Sequence, residues 1–324
     1  MNKSIRAFLF CFTVGCCIIY YIIIKQLFFT TEQTESTNIR SNPPRLIKID
    51  SLPPIPLPLP IPIDTFQSNT VAILIPVRSL RGTTDVSQLS LFQELLPSFL
   101  KTFQCDNNKQ IVFSIWIGYD AGDDYYDNTN NLQIIQSQYE KMWTQTTHIY
   151  SGLPFLPPKL HTHRFVGALS SPCWIWNGLA HLSYEQGIQY FMQINDDTRI
   201  LTGCWASSMI SIFKQVPYQM GVVGPMDINN PKVLTQAMLS RTHFAIFSAI
   251  YPHNFRNWYS DDWLSQVYGT ASTYMIDNVR MLNSNSQGTR YKKFTEVAET
   301  LDVEIDKGKR KIDLWFRQQK KNDT

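Results

Sequence analysis

Three places in the sequence set carboxylates side by side: Asp123-Asp124 in an acidic, Gly-containing loop, Asn195-Asp196-Asp197 and Asp261-Asp262. Adjacent acids suit a hard divalent cation, because Mg2+ and Mn2+ take oxygen ligands and commonly use one or two carboxylates plus substrate phosphates. A diphosphate leaving a sugar nucleotide carries concentrated negative charge, and such an ion offsets it. Asn and Asp are also turn formers, so the triplet reads equally as the corner after a strand. The Asp261-Asp262 pair reads equally as a helix start capped by Ser260 or Asp261, with Trp263 in the core. Arg78 could pair with phosphate or be a solvated loop arginine. Arg241 and His243, in LSRTHFAIF, offer a cation and an imidazole to an acceptor site, against the plainer reading of a buried structural histidine.

These groups need a frame that brings them to one rim. Residues 71–77 (VAILIPV) and 111–118 (IVFSIWIG) are continuous apolar, β-rich runs of the kind buried in a parallel sheet. Shorter runs at 190–194 and 221–225 read as further strands. Between them, residues 86–103 place Leu89, Phe92, Leu95, Leu96 and Phe99 at helical spacing, and 131–144 and 177–187 read as two more helices. The alternation predicts an α/β sandwich with a mainly parallel central sheet. Ligands of such sheets gather beyond the carboxyl ends of the strands. Three of the expected strands run out at Arg78, Asp120 and the 195–197 triplet.

The beginning of the chain reads differently. Residues 7–24 are 18 consecutive uncharged, mostly apolar positions between Arg6 and Lys25. At 1.5 Å per residue they reach about 27 Å, enough for a thin bilayer. Lys3 and Arg6 precede the run and no small-residue cleavage site follows it. The expectation is therefore a cytoplasmic tail (1–6), an uncleaved transmembrane anchor (7–24) and a luminal remainder. Eight of the 18 prolines lie between Pro43 and Pro62, so 25–69 reads as a Pro-rich stem in extended polyproline form. The globular part is then 70–324. Hydrophobic residues make up 44% of the 324 and charged residues 17%, which excludes global disorder and a coiled coil. A net charge of +3 from 29 basic and 26 acidic residues gives no case for nucleic acid as a partner. Outside the apolar run lie Cys105, Cys173 and Cys204. They allow at most one internal disulfide, its pairing left open, and no C-x-x-C suggests zinc.

A short tail, anchor and stem before a domain containing QINDDT resembles the Golgi-type, single-pass type II glycosyltransferases with the GT-A fold. Their motif is D-x-D, often E-D-D. The resemblance implies a Rossmann-like GT-A sandwich and a Mn2+ or Mg2+ ion at Asp197, with Asp196 beside the ribose or donor sugar. Asn195 stands where the family has its first acid, and is the second metal position implied. Base and ribose would lie near Pro76, Val77, Arg78 and Asp120. In NWYSDDWLSQVYG, 65 residues on, Asp261-Asp262-Trp263 is similar to the D-D-W segment of inverting N-acetylglucosaminyltransferases. That implies Asp262 as the catalytic base with Asp261 as its partner, and Trp263, His243 and Arg241 at the substrate. The donor would be a UDP-linked sugar, the acceptor a glycan or glycoprotein, and the location the Golgi or ER membrane. Trp174, Trp176, Trp205 and Trp258 could form a wall for sugars, and Lys307, Lys309, Arg310 and Lys311 could close over the diphosphate. Two other classes compete: a catalytically silent luminal binding or scaffold protein, which Asn195 keeps open, and a stalked surface receptor sharing only the α/β pattern.

Overall fold

The apolar run expected at 71–77 is a strand, Thr70–Val77, buried from Val71 onward, as a parallel strand covered on both faces must be. The computed structural model of the protein describes residues 46–48, 69–150, 157–168, 170–284, 288 and 290–322. Among them nine strands form one sheet: β1 (Leu46–Lys48), β2 (Thr70–Val77), β3 (Val112–Asp120), β4 (Lys159–Val166), β5 (Tyr190–Gln193), β6 (Thr198–Ile200), β7 (Val222–Asp227), β8 (Ala237–Ser240) and β9 (Thr273–Asn283). Their spatial order is β1-β4-β3-β2-β5-β8-β7-β9-β6. The first five in that order run parallel, as do β7 and β9, while β8 and β6 run antiparallel to their neighbours. The mixed, mainly parallel α/β sheet that the alternation predicts is therefore present.

Side-chain alternation along β2 divides the core into two layers. Val71, Ile73, Ile75 and Val77 pack with α1 (Leu96–Asn107), α2 (Thr129–Tyr150) and α4 (Trp205–Phe213). Ala72 and Leu74 face α3 (Pro172–Glu185), α5 (Arg241–Phe247), α6 (Ser260–Val267) and α7 (Leu301–Asn322). The helix expected at 86–103 is instead three pieces: a capped turn at Val86–Gln88, a π-helical turn at Leu91–Leu95, and α1. Pro97 at the head of α1 lacks an N–H and cannot continue a regular ladder backward. The helix expected from 177 begins at Pro172, where the Ser171 hydroxyl caps it by accepting from the Trp174 N–H.

Two expectations about the ends change. One short piece of the expected stem joins the sheet: Leu46–Lys48 adds to β4 in register, Leu46 opposite Arg164 and Lys48 opposite Val166. An open sheet edge offers unpaired backbone groups, and three residues of extended chain satisfy them. The apolar run 7–24 and most of the stem lie outside the described residues. Among the described residues no helix is long and apolar enough to cross a membrane. At the other end, α7 does not cover the acids. It buttresses α6: the Trp263 indole donates to the Glu304 carbonyl at 3.2 Å, and a Cβ at Gly308 would stand 2.3 Å from Val267 Cγ2. Lys307, Lys309, Arg310 and Lys311 face solvent, and Lys307 pairs with Glu304 on its own helix.

Candidate active site

The strand ends do meet. After β5 the chain turns, the Thr198 N–H donating to the Asn195 carbonyl at 3.2 Å, and this draws Asp196 and Asp197 inward until they are 2% and 5% exposed. Burial pushes the Asp197 carboxyl up to about 6; the neighbouring Asp196 charge adds to the rise and Arg290 opposes it. Arg290 is the cation here. Its Nη1 donates to Asp196 Oδ2 at 2.6 Å and to the Arg78 carbonyl at 3.1 Å, and its Nη2 donates to Asp196 Oδ1. Nη2 also lies 3.6 Å from Asp197 Oδ2. The Arg78 guanidinium donates to the Ser170 hydroxyl, and the Ser170 N–H donates to Asp120 Oδ2 at 3.0 Å. Burial raises the Asp120 carboxyl, with the Ser170 N–H and Arg78 opposing the rise. Pro76 and Val77 are buried at the end of β2, beneath Arg78.

Around this ring the loops are held by Asp123, which accepts from the Ser79 N–H at 2.9 Å, the Ser79 hydroxyl at 2.7 Å and the Tyr126 N–H at 2.8 Å. Among the described residues no group of three or more His, Cys, Asp or Glu is placed to hold a metal ion. A divalent ion here would rest on Asp196 and Asp197, within the one or two carboxylates that Mg2+ needs when phosphates complete its shell.

The Asp261-Asp262 pair opens α6, but not through the caps expected. The N-cap is Tyr259, in the left-handed region at φ 65°, with no side-chain cap bond; the Ser260 hydroxyl donates instead to the Asn257 carbonyl at 2.6 Å. Asp261 Oδ1 accepts from the Asp262 N–H at 3.1 Å. Burial, and then the Asp262 charge, push the Asp261 carboxyl up to about 6. Tyr251 ties this region to β5, its hydroxyl donating to Gln193 Oε1 at 2.9 Å, two residues before Asn195. Trp263 is fully buried between Phe247, Tyr251 and Phe255, so it packs the helix onto the core rather than lying at the surface.

The raised Asp261 carboxyl has a consequence for stability. A carboxyl that titrates higher folded than unfolded stabilises the fold below its unfolded value and loses that contribution as pH rises through the folded one. The span from 3.8 to about 6 corresponds to roughly 3 kcal/mol. Asp261→Asn keeps the oxygen that accepts from Asp262 and cannot ionise. The variant is expected to be more stable than wild type at pH 8, by up to about 3 kcal/mol. It should also lose the wild type's decline between about pH 4 and 6. Urea unfolding across pH checks this, and equal stability at pH 8 would refute it.

His243 and Arg241 are not brought to the acids. β8 runs antiparallel to β5 with Ser240 opposite Tyr190, so the helix after it starts at the opposite end of the sheet from Asn195. His243 is fully buried, Nδ1 2.8 Å from the Tyr268 hydroxyl and Nε2 3.0 Å from the Ala249 carbonyl, and burial pushes it down to about 4. Arg241 donates to the Ile188 carbonyl at 2.9 Å and lies over the Tyr184 ring. Trp205 and Trp176 fill the two core layers. Trp174, half-buried, stacks on His253 at 4.6 Å, and Trp258 is 44% exposed with Lys293 Nζ 4.3 Å from its ring.

No protein-family model matches the chain, and no curated protein matches it. Solved structures similar to it include TarS of S. aureus, at 13% identity and TM-score 0.43 over 73% of this chain and 39% of that one. A UTP-bound UGPase from Acinetobacter baumannii matches at 15% identity and TM-score 0.29, over 48% of this chain and 55% of that one. A cytidylyltransferase from Leptospira borgpetersenii matches at 10% identity and TM-score 0.35, over 79% of this chain and 96% of that one. The chain thus spans well under two thirds of the first two.

Proposed function

We propose that this chain is a glycosyltransferase that takes a sugar from a nucleotide-diphosphate donor, UDP-linked, and passes it with inversion to a glycan or glycoprotein acceptor. One observation supports this most. Asp196 and Asp197, with Arg78 and Asp120, lie at the carboxyl ends of the parallel strands of one sheet, where ligands of such sheets bind. Tyr251 and Arg256, in the segment leading to Asp261 and Asp262, bond to Gln193 and Ser171 beside those ends. Asp196 and Asp197, with Asn195, would hold Mn2+ or Mg2+, which when bound supplies positive charge to the departing diphosphate. Arg78 faces phosphate. Asp262 takes the proton of the acceptor hydroxyl as that oxygen attacks the anomeric carbon, and Asp261 and Tyr251 fix the helix that carries it. Trp174 and Trp258 supply the rings at the rim for sugars.

The apolar run 7–24 would anchor the chain in a Golgi or ER membrane with this domain luminal. The disulfide between Cys105 and Cys204 is in keeping with that oxidising side. Arg290, by filling the acid pair, favours one competing assignment, a catalytically silent luminal binder. A panel of nucleotide sugars offered to the full chain with Mn2+ and mixed acceptors separates the two. Transfer, or donor hydrolysis, from a UDP-sugar is expected; binding without turnover across the panel would leave the silent binder, and no binding would sink both.

A further inference from the structure

Asp196 and Asp197 already share a cation, and it belongs to the chain itself. Both oxygens of Asp196 accept from the Arg290 guanidinium, and the same group lies within ion-pair reach of Asp197. A two-pronged arginine–carboxylate contact is among the strongest charge-assisted arrangements a side chain makes. It engages both oxygens of Asp196, so a second cation would have to share them with the guanidinium. Two buried hydroxyls beside this contact lack partners. Tyr126 and Tyr291 end in oxygens that make no hydrogen bond among the described residues. Burial, and next the Asp196 charge, raise both phenols. Buried hydroxyls normally find partners, and these two stand within the field of the Asp196 charge.

The arginine is also carried on a strap. Asn257 Oδ1 accepts from the Phe294 N–H at 3.0 Å and Asn257 Nδ2 donates to the Lys292 carbonyl. Arg256 lies 3.6 Å over the Phe294 ring, and Lys293 lies over Trp258. Residues 290–294 therefore connect the acid pair after β5 to the loop that leads into Asp261 and Asp262.

We propose that Arg290 is the internal occupant of the site's cation position: a divalent ion and the guanidinium compete for Asp196 and Asp197, and loading the ion requires the 290–294 strap to release them. This rests on Asp196-Asp197 being the ion-holding pair. A divalent ion brings two charges where the guanidinium brings one, so it can displace Arg290 without leaving the acids bare. Because the strap is stapled to Asn257, release at Arg290 would be felt at the start of α6, coupling ion loading to the position of Asp261 and Asp262.

Mn2+ alone, titrated into the full chain without nucleotide and followed by the paramagnetic signal of free Mn2+, tests this. Arg290→Gln is expected to bind Mn2+ at least 10-fold more tightly than wild type, and Arg290→Lys, which keeps the charge, to stay near wild type. Adding Asp196→Asn to Arg290→Gln should abolish the gain. Should Arg290→Gln fail to fold, wild type decides: saturating Mn2+ should speed hydrogen exchange of the Phe294 amide. Equal Mn2+ affinity in wild type and Arg290→Gln, or Phe294 exchange unchanged at saturating Mn2+, overturns the competition. Either failure would leave sugar transfer standing if the panel shows it, and a gain in Mn2+ binding without any transfer would sink the transferase assignment alone.

Discussion

Asp262→Asn should bind UDP nearly as wild type does and transfer sugar slower by about 10²-fold or more, the usual range for losing a general base. Asp262 stands in the first turn of α6 beside an acid that burial has pushed up to about 6. An inverting displacement needs one carboxylate aimed at the acceptor hydroxyl, on the face opposite the departing diphosphate. Asp196 cannot serve, since both its oxygens are engaged by a cation. Asparagine keeps the shape and one acceptor oxygen but cannot take the proton. A first-turn carboxylate also favours a helix start, by about 0.3–1 kcal/mol, so the variant should still fold. Initial rates with a UDP-sugar and its acceptor, beside UDP affinity measured on the same sample, decide it. Wild-type rates in Asp262→Asn would remove Asp262 from the chemistry. Loss of UDP binding in step with loss of rate would make it a structural residue.

Much of the frame is legible in the sequence because buried parallel strands leave long apolar runs. β2, β3 and β5 fall where such runs stand, and their ends mark Arg78, Asp120 and Asp196. Local pattern fails where direction or distance matters. Four residues, Ala237–Ser240, make β8, and nothing in so short a run says that it points the other way, which is why His243 and Arg241 fall at the far end. β9 is 11 residues long but breaks register opposite Pro225 and Met226, so its alternation is blurred. Trp263 follows two acids in sequence yet turns to the core, since successive helix positions face different sides. Arg290 is the largest omission. It lies 94 residues from Asp196, and no periodicity connects an arginine to an acid across that separation.

Replacing both Cys105 and Cys204 by serine should cost about 3–5 kcal/mol of stability, the range for removing a disulfide from a long loop. Of the three cysteines whose pairing composition left open, Cys105 near the end of α1 and Cys204 at the cap of α4 are bonded across 99 residues, and Cys173 remains a buried thiol. Closing a loop of that length removes much of the unfolded chain's freedom. The bond also secures an unusual helix start. Cys204 is left-handed at φ 55° with no side-chain cap bond of its own, and the cap comes from Asp106, the neighbour of Cys105. Its carboxylate accepts from the Ala206 N–H at 3.2 Å and the Ser207 N–H at 2.8 Å. Asp106 is fully buried, and burial raises its carboxyl against the pull of those N–H groups. Without the disulfide, that desolvated acid and the head of α4 can separate and rehydrate. Urea unfolding of the full chain should show reductant lowering wild-type stability to that of the double variant, with no further effect on the variant itself. A wild type indifferent to reductant would mean that the packing of Trp205 on Phe113 of β3 holds the head of α4 without the bond, and would weaken the case for an oxidising compartment.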